Sequence, residues 1–98
     1  MIDFKNYQNE IDKICQKYQV KNLTVFGGAL SDQFDDSSDI DFLLELKTAE
    51  GGIKRYMNIK FELEKLFTRP VDLVMPKAIK NKRLKDYMFS NTREVYAA

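Results

Sequence analysis

Asp39 and Asp41 stand one residue apart at the head of an apolar run, Asp39-Ile40-Asp41-Phe42-Leu43-Leu44. Side chains of a strand alternate between its faces. A strand over 39–46 therefore projects both carboxylates to one side, with Leu43 after them, and Ile40, Phe42, Leu44 and Leu46 to the other. Two carboxylates held this close repel, and the usual relief is a shared proton or a bound divalent cation. Mg²⁺ takes oxygen ligands and leaves positions open for phosphates, so a rigid Asp-x-Asp pair suits a metal–triphosphate site. A third carboxylate, Asp72, interrupts the apolar run Val71-Asp72-Leu73-Val74-Met75. Buried without a partner it would cost several kcal/mol, so it pairs with a basic residue, lies at the sheet edge or binds a cation. Upstream, Gly27 and Gly28 follow the apolar Val25-Phe26, and glycine lets backbone N–H groups approach a phosphate closely.

The elements that must position these groups read from periodicity. Tyr7, Ile11, Ile14, Cys15 and Tyr18 recur on one face of a helix over 3–18, with Asp3 as its N-cap. A first strand is expected over 22–26, followed by a short helical turn over 29–33 and the Asp-bearing strand over 39–46. Gly51-Gly52 breaks the chain before a second helix over 53–67, in which Tyr56, Ile59, Leu63, Leu66 and Phe67 face inward. Pro70 ends that helix, a third strand spans 71–75, and Pro76 opens a basic helix over 77–90. Residues 93–98 are a tail or a short last strand. This order predicts one small α+β (α/β) domain over 1–98, a mixed β-sheet with flanking helices.

Composition narrows the function. A 98-residue chain with 44% hydrophobic residues holds one packed core. The net charge of +1 gives no overall drive toward nucleic acid or a membrane surface, and no apolar run is long enough to span a bilayer. The chain contains no histidine, which removes imidazole bases and ligands, and Cys15 alone forms no intramolecular disulfide, as suits a reducing cytoplasm.

Gly27-Gly28, ten intervening residues and Asp39-Ile40-Asp41 resemble the Gly-Ser-x10-Asp-x-Asp signature of the DNA polymerase beta-like nucleotidyltransferases. Ser38-Asp39-Ile40-Asp41-Phe42-Leu43-Leu44 and Arg69-Pro70-Val71-Asp72-Leu73-Val74 extend the likeness, which is greatest to the minimal nucleotidyltransferase (MNT) domains. The resemblance implies the nucleotidyltransferase fold, with Asp39, Asp41 and Asp72 as catalytic and metal-binding carboxylates and Gly27, Gly28 and Ser38 at the nucleotide. It also implies Mg²⁺ as cofactor, ATP as substrate, and an antitoxin that transfers AMP to a hydroxyl, a tyrosine's, on a HEPN ribonuclease toxin. Two departures stand out: Gly28 occupies the position of the family serine, and Leu30-Ser31-Asp32 replaces the common Ala-Arg-Gly. One lost donor to developing charge costs on the order of 10²–10³ in rate. The alternative expectation is therefore a degenerate module that neutralises its partner by binding it without chemistry.

Overall fold

The computed structural model describes residues 3–27, 39–76, 80–83, 86 and 91–98. The expected turn over 29–33, most of the basic helix over 77–90, and the candidates Gly28 and Ser38 lie outside the described residues.

The N-terminal helix is tighter at its start than its periodicity suggests. Asp3 caps a 3₁₀ turn, Phe4–Tyr7, by accepting a hydrogen bond from the Lys5 N–H at 3.1 Å. The α-helix proper, α1, runs Gln8–Lys17. A 3₁₀ opening is a common way to use the unpaired amides of a first turn. The inward stripe is as expected, with Ile11, Ile14 and Cys15 buried and Tyr7 and Tyr18 packed at its border. Phe4 joins it inside, a core residue the sequence stripe omits. Burial, reinforced by the charge of Asp12, pushes the Cys15 thiol up to about 12, so it stays a neutral packing group.

Strand β1 spans Val20–Phe26, β2 Ile40–Leu46, helix α2 Gly52–Phe67, β3 Val71–Val74 and β4 Thr92–Ala97. The four strands of the described residues form one mixed sheet in the order β3-β2-β1-β4. β1 pairs antiparallel with β2 and with β4, and β2 pairs parallel with β3. The C-terminal residues are thus an edge strand. The period-2 pattern sorts the sheet into two faces. Leu23, Val25, Ile40, Phe42, Leu44, Val71, Leu73 and Val95 point into the core with Ile59, Leu63 and Phe67 of α2. An aromatic cluster sits at its centre: Phe4 meets Phe42 and Phe67 edge-on, with centroids 6.2 and 5.8 Å apart. The outer face of α2, by contrast, exposes Ile53, Met57 and Phe61. No helix among the described residues is long and apolar enough to cross a membrane.

Helix α2 also ties the periphery together through polar side chains. At its start, Arg55 donates to the carbonyls of Tyr18, Gln19, Thr48 and Glu50, joining the turn before β1 to the loop after β2. Along its flank, Tyr56, Lys60 and Glu64 meet β3. The Tyr56 hydroxyl donates to the Leu73 carbonyl at 2.8 Å. The Lys60 ammonium donates to the Val71 carbonyl and to Glu64, and the Val71 N–H donates to Glu64 Oε2 at 3.1 Å.

That last bond, seconded by Lys60, holds the Glu64 carboxyl below its ordinary value of 4.5. A depressed carboxyl in the folded state contributes stability above the unfolded value, and the contribution is lost as pH falls through the folded one. Thermal melts should therefore show wild type losing more stability than Glu64→Gln as the pH is lowered below about 4.5, in the order that linkage dictates. Parallel pH dependences of the two proteins would contradict this.

Candidate active site

The face of the sheet opposite the core carries the candidate site. β2 and β3 run parallel with Asp41 in register with Asp72, and Phe26 of β1 lies opposite Asp41 on the other side. Thr92 of β4 continues the row beyond Phe26. Four strands thus place Thr92, Phe26, Asp41 and Asp72 side by side on one face. Asp39 stands two residues before Asp41, immediately ahead of β2, and is exposed. Asp72 is exposed as well, and Asp41 is half-buried between its neighbours.

These surroundings act on Asp41. Burial pushes its carboxyl above the ordinary 3.8, and the Asp72 charge, a hydrogen bond shared with Asp72 and the Asp39 charge push in the same direction. Asp41 is therefore the centre of a carboxylate group in which Asp72 is in contact and Asp39 acts through its charge. No salt bridge to Asp39, Asp41 or Asp72 occurs among the described residues. β3 lies at the edge of the sheet, and the neighbour that Asp72 meets there is another carboxylate.

Gly27 closes the other side. It follows β1 directly, has φ +74° in the left-handed region, and a Cβ built on it would stand 3.1 Å from Asp41 Oδ2. The backbone here passes so close to the carboxylate that a side chain intrudes on it. Gly27→Ala should cost about 1–2 kcal/mol from the positive φ alone. It should also displace the Asp41 carboxylate. Thermal melts and nucleotide titration of that variant measure the two effects separately.

The donor set suits a hard divalent cation. All three candidate ligands are carboxylates, and their mutual repulsion is what a cation relieves. Among the described residues no three acidic, histidine or cysteine side chains form a group that could hold a metal ion. Mg²⁺ does not demand one: it is held by one or two carboxylates with waters and substrate phosphates in the remaining positions. Asp41 and Asp72 are the two carboxylates in contact here, and Asp39 acts on Asp41 through its charge.

Comparison with known proteins settles the family. Residues 9–95 match the nucleotidyltransferase domain model. The chain belongs to the nucleotidyltransferase domain family. Within it, the chain is 34% identical over 70 residues to the Methanocaldococcus jannaschii protein named "Putative protein adenylyltransferase MJ0128", covering 71% of this chain and 70% of that protein. Among solved structures, "Structure of putative minimal nucleotidyltransferase" superposes with a TM-score of 0.73 at 21% identity, over 91% of this chain and 89% of that one. A toxin–antitoxin structure with AMP-PNP gives 0.69 at 19% identity, over 93% of this chain and 73% of that one. The MntA-HepT toxin–antitoxin structure gives 0.66 at 18% identity, over 96% and 73%. The last three establish the shared nucleotidyltransferase fold, as the sequence resemblance implied.

The sequence pattern did not reveal two features of this nucleotidyltransferase site. The family resemblance implied Asp72 beside Asp41 on the neighbouring strand, but the pattern alone did not, since the pairing needs the parallel register of β2 and β3. The contacts of Tyr56, Lys60 and Glu64 with β3 left a faint trace, since the three recur at i, i+4 and i+8. From sequence, Tyr56 reads as core and the other two as a solvated flank.

Proposed function

We propose that this nucleotidyltransferase transfers AMP from ATP to a hydroxyl of a partner protein, a tyrosine on a HEPN-type toxin, with Mg²⁺ bound by Asp39, Asp41 and Asp72. The observation that carries the reading is the register of Asp41 with Asp72 on adjacent parallel strands, with the Asp39 charge acting on Asp41. Two similarities support it: a relative that bears the name of a protein adenylyltransferase, and the fold of a toxin–antitoxin pair solved with AMP-PNP.

In this reading the acceptor oxygen forms a bond to the α-phosphorus of ATP while the bond from that phosphorus to the bridging α–β oxygen breaks, and pyrophosphate leaves. A bound Mg²⁺ supplies charge neutralisation at the phosphate oxygens. The chain's own part is positioning and proton transfer. Asp41 is fixed on β2 between Phe26 and Asp72, and Asp72 on the exposed edge accepts the proton of the acceptor hydroxyl. Gly27, with Gly28 and Ser38, lines the phosphates, and the Gly27 backbone leaves them room beside Asp41. ATP, Mg²⁺, the chain and its partner, incubated together, should add the mass of AMP to the partner. The addition should vanish in Asp39→Asn, Asp41→Asn and Asp72→Asn. A partner that binds the chain yet never gains that mass would refute the transfer.

The second reading is a module that masks its partner by binding alone, and Gly28 in the place of the family serine favours it. The Asp39→Asn/Asp41→Asn double variant separates the two. It still neutralises the partner if binding suffices, and it fails if AMP transfer is required.

A further inference from the structure

β3 is a four-residue strand at the edge of the sheet, and it carries one member of a repelling carboxylate pair. Such a strand has few ladder bonds to hold it, and the charge beside it pushes it away from β2. Backbone groups alternate in direction along a strand. Pro70 turns its carbonyl to β2, where it accepts the Ile40 N–H at 3.1 Å. Asp72 shares that direction, while Val71 and Leu73 present their groups outward from the sheet. An outward row of this kind is ordinarily left to water or to another strand. Here one flank of α2 takes it. Glu64 accepts from the Val71 N–H, Lys60 donates to the Val71 carbonyl, and Tyr56 donates to the Leu73 carbonyl. Lys60 and Glu64 are also paired with each other at 3.2 Å, and their side chains are only 26% and 29% exposed.

We infer that Tyr56, Lys60 and Glu64 are positioning residues for the carboxylate site: spaced one helical turn apart on α2, they clamp the backbone on both sides of Asp72 and hold its carboxylate in register with Asp41. The inference rests on the proposed metal–nucleotide role of the two aspartates and adds to it the elements that set their separation. Clamping Val71 and Leu73 fixes the residue between them without touching its side chain. Asp72 is thereby left free to face a ligand, while the edge cannot relax outward under carboxylate repulsion.

The test pairs ligand binding with hydrogen exchange on the intact chain. Lys60→Met should weaken Mg²⁺-dependent ATP binding by about tenfold, in the range seen when groups behind metal ligands are removed. ATP binding in EDTA should stay unchanged, and Lys60→Arg should restore the loss. In an Asp72→Asn background Lys60→Met should have no further effect, because the clamp acts through that carboxylate. The same variant should speed exchange of the Asp72 and Phe42 amides without nucleotide or metal, leaving β1 and β4 unchanged. An equal loss with and without Asp72, or unaltered exchange in β3, overturns the inference. If Asp72→Asn alone leaves Mg²⁺-dependent binding intact, the metal reading fails instead. The exchange rates then decide the clamp by themselves.

Discussion

Asp41→Asn should abolish AMP transfer and at the same time make the folded chain more stable. The first effect follows from its position. Asp41 contacts Asp72, feels the charge of Asp39 and lies beside the close-approaching Gly27, so its removal leaves no two adjacent carboxylates to hold a cation. Neutralising phosphoryl charge contributes several kcal/mol, so the loss in rate is expected to be about 10³-fold or more. The second effect has the opposite sign. The folded-state carboxyl lies above the ordinary 3.8, so the folded chain holds its proton more tightly than the unfolded chain does. Ionisation then opposes folding, and the opposition grows as pH rises through that window. At neutral pH wild type carries the whole cost and Asn carries none. In the absence of divalent cation the variant should therefore melt above wild type. Mg²⁺ should raise the wild-type melting temperature and leave that of the variant unmoved. A variant that melts lower in EDTA would show that the pair is not in repulsive contact.

Phe42→Ala should give the largest loss of stability among the substitutions considered. Phe42 is the core-facing neighbour of Asp41 on β2, fully buried, with its ring in contact with Phe4 and Phe67. Truncating such a ring costs about 3–5 kcal/mol, from a total that is about 5–15 kcal/mol for a domain of this kind. For a chain of this length that corresponds to a fall of at least about 12 °C in melting temperature. The same strand presents Phe42 inward and Asp41 outward, so β2 transmits the damage to the site. Nucleotide binding should weaken in Phe42→Ala even where the protein is still folded, as titration below the melting transition would show. A fall of only a degree or two would mean that the aromatic cluster is not the centre of the core.

These two residues also mark what the sequence makes legible. Alternation along β2 is a local property of the chain, and it sorted Asp41 from Phe42 without any knowledge of the fold. The helix stripes were equally local, and Phe4, three residues before Tyr7 and seven before Ile11, fits the same stripe although it lies in the 3₁₀ turn. β4 remained ambiguous between tail and strand because its pattern, with only Val95 buried, is that of an edge strand with little apolar burial. What periodicity alone did not give was the lateral order of the strands, where the family resemblance supplied the neighbouring strand of Asp72. Register between β2 and β3 is set by α2 and its crossover, and only that register puts Asp72 next to Asp41 rather than elsewhere on the sheet. The clamp on β3 was hidden for the same reason: Lys60 and Glu64 are ordinary helix-flank residues until the strand they grip is in place.

Calorimetric titration of the chain with ATP, in Mg²⁺ and then in EDTA, tests the carboxylate site most directly. ATP should bind more tightly in Mg²⁺ than in EDTA, and that gain should disappear in both Asp41→Asn and Asp72→Asn. Equal affinity in the two buffers, or a gain that survives both substitutions, would contradict a cation held between these strands.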